Sequence, residues 1–537
     1  MTKVKFYAML AAAAMLGGCY SYPPAPVAAF GESYTNRQKD GADEIFKNIT
    51  SLSLADAQRI ALLNNPTYIA AHHAVKAAHM RYLQSYSGYM PTISAGADYS
   101  GGNSWVMSSK KRDGNISYGG RDPRHPRTET NSFGVSVNAS LLLFDGLIRE
   151  FSVMEAQHAE KYYQHMDENA CRTIAQAVAY AYNNVLLAIE KRRIALEDRK
   201  FQKTSLEDTT YKFDAGAVPL SDVLNFEILM NNAEASMISA DYEYETSVYA
   251  LAQLMGYPDG VLPVNVIFSG RIKPDYGELP AVEVYLDSAL ANRPDLKAYR
   301  EQLEMSKYRL YQTYGSFSPT ASAYFNYNFN LNESATRDTR SRSYAENTGI
   351  SYGVNVDWVL FSGLARYNRM RESQANLAIA EFDVASQWFQ VVNDVRTAYA
   401  AYKLSSKNSK IREKVRDLSA QQRDLVDDEY RAGNTELTRL NEAQRDYVTA
   451  ESNLVSSYVN IQNAKAQLDA AVGVNTSEYY LNQGVADTTA KPAAAKAQES
   501  KAKAAAKPAA QAAPAQAAPA KAPAANAPAI PASATAK

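Results

Sequence analysis

The body of this 537-residue chain is written twice. Phe144-Asp145-Gly146 recurs as Phe361-Ser362-Gly363, Ala215-Gly216 as Ala432-Gly433, and Gly256, which closes a long helical stretch, as Gly473, each pair 217 residues apart. Upstream, Asn65-Pro66 answers Arg293-Pro294 and Tyr89-Met90-Pro91 answers Phe317-Ser318-Pro319, at a separation of 228. The register slips only between Pro91 and Phe144, which marks a loop. A tandem repeat forces both halves into one supersecondary plan, with the apolar face of each copy buried against its twin.

Four segments alternate with a period of two. The first sets Ile93, Ala95, Ala97 and Tyr99 against Ser94, Gly96, Asp98 and Ser100, and the second sets Phe133, Val135, Val137, Ala139 and Leu141 against Ser132, Gly134, Ser136, Asn138 and Ser140. In the second copy Ala321, Ala323, Phe325, Tyr327 and Phe329 oppose Ser322, Asn326, Asn328 and Asn330, and Tyr352, Val354, Val356, Trp358 and Leu360 oppose Ser351, Gly353, Asn355 and Asp357. This pattern over about ten residues suits barrel strands with one face in lipid and the other on a wet lumen. Four strands cannot close a barrel, so several chains must share one. Loops near 101–131 and 331–348 would then lie outside the cell.

From Leu147 to Ala215, and again from Leu364 to Ala432, there is neither Gly before the turn nor Pro, so each run reaches about 100 Å as a helix. After each glycine turn a three-four seam follows. One runs Leu440, Ala443, Tyr447, Ala450, Leu454, Ser457, Ile461, Ala464, Leu468, Ala471, and its counterpart Val223, Phe226, Met230, Ala233, Met237, Ala240, Tyr244, Ser247, Leu251, Leu254. Such spacing is the mark of knobs-into-holes pairing.

The ends differ from the body. Lys3 and Lys5 precede an apolar run too short to span a bilayer, and Leu16-Gly17-Gly18-Cys19 follows, resembling the lipobox of bacterial lipoproteins, whose cysteine is diacylated. The expected organisation is a signal peptide over 1–18, a lipid-anchored linker over 19–50, a first repeat over 51–275 with strands 92–100 and 132–144, a second over 276–485 with strands 320–330 and 350–361, and a disordered Ala/Pro/Lys-rich tail over 486–537. Lys plus Arg is 56 against 57 for Asp plus Glu, so no overall field attracts nucleic acid. The fold class is mainly α with a β-barrel part.

Repeated strand pairs and long helical hairpins resemble the TolC-like outer-membrane factor family, in its lipoprotein branch, over about residues 51–480. The closest local match is Tyr211-Lys212-Phe213-Asp214-Ala215-Gly216-Ala217-Val218-Pro219-Leu220-Ser221-Asp222-Val223-Leu224, echoed at Glu429 to Leu437. The resemblance implies a homotrimer with a 12-stranded outer-membrane barrel and a periplasmic α-barrel. It also implies a periplasmic adaptor, an inner-membrane transporter of the resistance-nodulation-division or ABC type, and outer-membrane lipid as partners. Gly216, Ala217, Gly433 and Asn434 would be the adaptor-docking tips. The family's gate link of a tyrosine to an aspartate falls on Tyr430 and Asp222, and its two acidic pore positions fall on Arg439 and Glu442, one of opposite sign.

No catalytic pattern, nucleotide fingerprint or metal-ligand spacing is present, and no cofactor is called for. The six histidines (His72, His73, His79, His125, His158 and His165) all fall in the first copy and read as incidental helix-surface residues. Two functions fit: an outer-membrane export duct serving a tripartite efflux pump or type I secretion system, or a lipid-anchored coiled-coil protein that spaces the envelope. The four lipid-facing rows favour the duct.

Overall fold

A computed structural model describes residues 51–105, 127–257, 260–262, 266–270, 272–274, 279–336 and 341–473. The expected signal stretch, Cys19, His125, residues 106–126 of the expected first loop and the Ala/Pro/Lys tail lie outside them.

Each repeat runs two short helices, a strand hairpin, a long helix and a returning helix. In the first these are α1 (Leu54–Asn64), α2 (Pro66–Ser85), β2 (Thr92–Trp105), β3 (Arg127–Phe144), α3 (Ile148–Asp214) and α4 (Leu220–Leu254). In the second they are α5 (Val282–Asn292), α6 (Pro294–Gly315), β5 (Thr320–Thr336), β6 (Ser341–Asp357), α7 (Ala365–Arg431) and α8 (Leu437–Val472). Two short parallel strands, β1 (Ser51–Leu52) and β4 (Ile267–Phe268), join the chain entry to the connector between the repeats. The Tyr182 hydroxyl on α3 lies 2.9 Å from the carbonyls of both Leu52 and Ser269 and pins that pair in place.

Local chemistry explains the boundaries. Ser53 and Asp56 form a reciprocal capping box on α1, and Asn65 ends α1 while its side chain accepts the Thr67 N–H at 2.9 Å to open α2, with Pro66 at the first helical position. The repeat is written into the backbone as well. Positive φ occurs at Gly146, Leu147, Gly216 and Gly256, and 217 residues later at Gly363, Leu364, Gly433 and Gly473. Left-handed φ at the two leucines costs on the order of 1–2 kcal/mol each. Both copies carry it at the same strand-to-helix junction.

The strands form one antiparallel sheet in the order β2-β3-β5-β6. Its register aligns like with like. Ala95, Val137, Tyr327 and Ile350 make one row and Ile93, Ala139, Phe325 and Tyr352 the next, while Ser94, Asn138, Asn326 and Ser351 make a polar row between them. Both outer strands, β2 and β6, present unpaired edges within the chain.

The ladder is longer than the alternation predicts. β2 continues through Gly101-Gly102-Asn103-Ser104, β3 begins at Arg127, and β5 and β6 pair out to Thr336 and Ser341, while β6 stops at Asp357 rather than 361. The extensions are mostly polar and lose the regular apolar alternation, so backbone pairing persists where that signal has ended. Trp358 to Phe361 lie past the strand end, and the expected 331–348 loop shrinks to the segment between Thr336 and Ser341.

The buried core of the helical part lies where α5, α6, α7 and α8 meet: Ala289, Leu296, Val391, Val395, Ala398, Leu468, Ala471 and Val472. Burying each of the larger aliphatics there contributes about 1.5–3 kcal/mol. Beside it, Arg293 occupies the place of Asn65 in the other copy. Its guanidinium grips Asp295 in a fork (3.0 and 2.5 Å) and reaches Asp394 at 2.9 Å. Arg172 on α3 donates to the Ala470 carbonyl at 3.0 Å and stands 3.8 Å from Asp295, which ties the repeats together.

The described histidines sit on helix surfaces, and four of them face carboxylates. His79 pairs with Glu160 at 3.0 Å, His158 with Glu301 at 2.6 Å and His165 with Glu168 at 3.3 Å, while His72 stands 3.8 Å from Asp167. Three of these carboxylates sit on a different helix from their histidine, so sequence spacing does not reveal them. Among the described residues no three such groups converge to hold a metal.

Candidate functional site

The described chain concentrates its unmatched features at the far ends of the two long hairpins. The α3 helix ends when Gly216 takes φ 73°, and the Ala217 N–H then reaches back to the Lys212 carbonyl at 2.8 Å. Gly433 at φ 76° and Asn434, bonded to the Glu429 carbonyl at 2.8 Å, repeat the motif. This is the helix-terminating loop that glycine permits, with the last carbonyls satisfied. Gly216, Ala217, Gly433 and Asn434 are all exposed, and a Cβ on either glycine would meet nothing within 4 Å.

Just inside the tips the hairpins are zipped together. Phe226 of α4 is fully buried against Val426 of α7 and Leu440 and Ala443 of α8, with Phe201, Leu206 and Leu437 packed around them. Farther along, Gln444 donates to Asp198 at 2.8 Å and Arg193 to Glu451 at 2.9 Å, so charged and polar bonds join α8 to α3.

Between the tips lies an open cleft of about 630 Å³, lined by Lys212, Pro219, Asp222, Tyr430, Glu436 and Thr438 among others. Asp222 and Tyr430 thus come together from opposite copies, as the resemblance implies. The expected hydrogen bond between them is not formed. The Tyr430 hydroxyl makes no hydrogen bond of good geometry among the described residues. Its position between two helices explains this: the ring is held by the apolar zipper and covered by Lys212, whose ammonium lies 4.8 Å from the ring centre. Burial pushes the phenol pKa up, the Thr209 hydroxyl acts in the opposite direction, and the Asp222 charge adds to the rise.

Arg439 and Glu442 sit one turn apart on α8, both exposed, and no ion pair joins them within the chain. They stay apart from the cleft lining, which includes neither residue. Sequence reasoning gave Lys212 no role, although it stands within the Tyr211 to Leu224 match, and missed Thr209; the trace at Lys212 is that the second copy has Glu429 there, a reversal of charge between otherwise similar turns.

A second duplicated feature lies at the opposite end of the long helices. Arg149 and Arg366, 217 residues apart, each occupy the first turn of a long helix and donate to carbonyls at the end of the preceding strand region. The shared Gly-Leu-x-Arg pattern, Gly146 to Arg149 and Gly363 to Arg366, was available in the sequence as their signal.

The comparisons with known proteins agree with this architecture. The model of the outer membrane efflux protein family matches residues 58–257 and 285–474, one block in each repeat. The alkaline protease secretion protein AprF of Pseudomonas aeruginosa is 22% identical over 373 residues, 67% of this chain and 72% of that protein. The outer membrane protein TolC of Escherichia coli is 21% identical over 430 residues, 78% of this chain and 83% of that one. Among solved structures, the Campylobacter jejuni CmeC outer membrane channel superposes with a TM-score of 0.62 at 16% identity, covering 83% of this chain and 88% of that one. The open state of the Neisseria gonorrhoeae MtrE channel gives a TM-score of 0.59 at 19% identity over 78% and 88%. With its family model matched across both repeats, and its fold shared with solved channels, this chain belongs to the outer membrane efflux protein family.

Proposed function

We infer that three copies of this chain close a 12-stranded outer-membrane barrel and continue it into the periplasm as a helical tunnel, forming a passive export duct. The observation that carries the reading is the sheet itself. Apolar side chains of its outer strands are exposed, with Ile93 at 70% and Tyr352 at 79%, and among the described residues it ends in two open edges, which hydrocarbon does not tolerate. Pairing β6 of one chain with β2 of the next removes both edges.

The helical flanks support the same closure. Leu404, Ile411, Leu418 and Leu425 stand exposed along α7 at heptad spacing, and Ile228, Ile238, Tyr242 and Tyr249 stand exposed along α4. The junctions agree. Gly146 sits so close to Gly315 that an added Cβ would come within 2.4 Å of its carbonyl, whereas the equivalent Gly363 faces open space. By the repeat offset, Ser87 of a neighbouring chain would stand at Gly363.

The duct would serve a tripartite pump or a type I secretion system. The similarity to a protein named for protease secretion supports the second, and an inner-membrane transporter of either the resistance-nodulation-division or the ABC type would supply the energy. Gly216, Ala217, Gly433 and Asn434 would meet the periplasmic adaptor. Asp222, Tyr430, Arg439 and Glu442 would form the gate, in which Arg439 and Glu442 give adjacent positive and negative rings and weaken the cation preference of an all-carboxylate constriction. Acylation at Cys19 would add a lipid anchor.

Reconstitution in a planar bilayer tests the duct: discrete conductance is expected, and its absence with folded trimers would return the envelope-spacer reading. Tyr430→Phe, Asp222→Ala and Glu442→Gln channels are expected to differ from the parent in open probability or selectivity, and three unchanged channels would remove the gate assignment. Cys19→Ser is expected to leave an unprocessed or soluble precursor, and unchanged mass and membrane partition would refute the anchor.

A further inference from the structure

The junction between strands and long helices carries a built contact in each repeat. The Arg149 guanidinium donates to the carbonyls of Gly88 (3.0 Å), Leu142 (2.8 Å) and Leu143 (3.2 Å), and its carbon lies 4.7 Å from the centre of the Tyr89 ring. Arg366 donates to the carbonyls of Ser316 (3.0 Å) and Val359, and lies 5.4 Å from the Phe317 ring. Three of the partners correspond under the repeat: Gly88 and Tyr89 match Ser316 and Phe317 at offset 228, and Leu142 matches Val359 at 217, while the Leu143 carbonyl belongs to the first copy's contact. The fourth contact varies, with the Asp145 carboxylate 3.4 Å from Arg149 Nε and the Ser362 hydroxyl 3.3 Å from Arg366 Nε.

The placement runs against ordinary helix electrostatics. The first turn of a helix favours carboxylates, and a cation there is disfavoured by about 0.3–1 kcal/mol. Both repeats accept that cost. What the arginine reaches is a set of carbonyls at the two crossings of the chain: the entry, where α2 or α6 hands over to a strand, and the exit, where a strand hands over to α3 or α7. A planar fork spans both, which a point-charge ammonium does not.

We propose that Arg149 and Arg366 are coupling residues that fasten the strand wall to the helical wall, so that movement of the long helices does not open a seam at their joint. This rests on the duct reading. Each guanidinium is a positioning group: it acts through the backbone of both crossings rather than on anything that passes.

The test uses full-length trimers carrying Arg149→Ala, Arg366→Ala, both together, and the Arg149→Lys/Arg366→Lys pair. Brief closures of single channels in planar bilayers are expected to become about tenfold more frequent in the double alanine protein, the factor expected for losing one charge-assisted bond per joint. The lysine pair is expected to behave like the alanine pair. Millimolar guanidinium is expected to quieten the alanine channels, and sodium at equal ionic strength is not. Hydrogen exchange on the same samples should show amides at 87–92 loosening when Arg149 alone is changed, despite their distance in sequence.

Parental closure rates in assembled alanine and lysine trimers would overturn the proposal. So would a lysine pair that restores parental behaviour, or noise that guanidinium does not quieten, since simple loss of packing gives that result. If the alanine proteins do not assemble, the lysine pair and the exchange measurement decide. Exchange raised only at 145–150 would show a local helix-start role and refute coupling. A parent that forms trimers but never conducts would refute the duct, while the exchange pattern would still judge the joint.

Discussion

The two returning helices, α4 and α8, have nearly the same length, the same kind of turn before them and the same seam spacing, yet they live in different surroundings. Nine of the ten seam positions in α8 are buried, all but Tyr447, whereas in α4 only Phe226, Ala233, Ala240 and Leu251 are. The difference lies in neighbours. α8 is held between α7 and α3 along its length, while α4 lies on α3 and, among the described residues, meets α7 and α8 near the tip through Phe226 and Asn225. Burial here is set by an element's neighbours, and the proposed trimer would give the exposed length of α4 the wall that it lacks within the described residues.

That comparison breaks most sharply with core truncations. Ile461→Ala on α8 and Phe226→Ala at the zipper should each cost about 2–5 kcal/mol in unfolding of the chain itself, read by denaturant titration. By contrast, Ile238→Glu on α4 and Leu418→Glu on α7, both on exposed stripes, should change monomer stability by less than about 0.5 kcal/mol while abolishing trimers in native electrophoresis or light scattering. Intact trimers in both would show that these flanks are not the seam between chains.

Glycines sharpen it next. Gly146→Ala should disrupt the isolated chain, because the new Cβ would strike the Gly315 carbonyl, whereas Gly363→Ala should be felt mainly when chains associate. At the tips the copies should instead agree: Gly216→Ala and Gly433→Ala are each expected to cost about 1 kcal/mol from backbone strain alone, so a large inequality in thermal scans would show that one tip is held by more than its own loop.

The smallest effect concerns acid, and it has opposite signs in the two copies. In the second, Asp295 is buried, which alone would raise it, but Arg293 and Arg172 hold its carboxyl below the usual range. The stability it contributes is present above the unfolded-state pKa and is lost as pH falls through the lower folded value. In the first, burial raises Asp167 while His72 opposes the rise. A carboxyl raised on folding takes up its proton more readily in the native state, so falling pH through that window stabilises. Acid titration followed by regional hydrogen exchange should show the area around Arg293 loosening below pH of about 4 while the α2–α3 contact holds. Asp295→Asn should remove that acid limb, and an unchanged profile would refute the assignment.

Legibility in the sequence followed the range of each interaction. Helix ends were readable because glycine, Pro and Asn act on their own backbone, as at Gly216, Gly433 and Asn65. Strand identity was readable through alternation, but the ends were not: Asn103 and Ser104 pair through backbone groups that carry no side-chain signal, and Trp358 keeps the apolar rhythm after pairing has stopped. The contacts that span helices, such as His158 with Glu301 and Arg172 with Asp295, leave no spacing to detect. At the tip, the placement of Asp222 beside Tyr430 was legible through family resemblance, while the lack of a bond between them was not, since the packing of the Tyr430 ring by Lys212 and the zipper leaves no local sequence pattern.

The length of the β ladder has a mechanical consequence. Its pairing continues well past the last apolar row, through Ser104 and Thr128 on one side and Thr336 and Arg342 on the other. Once such a sheet closes on itself, its circumference follows from the number of strands and the roughly 4.8 Å between them. In the proposed trimer the outer mouth would therefore have a calibre fixed by peptide geometry, stiff against osmotic or electrical load. Variation in bore would be left to the opposite pole, where the wall would consist of helices whose side-chain contacts can slide without breaking a single backbone bond.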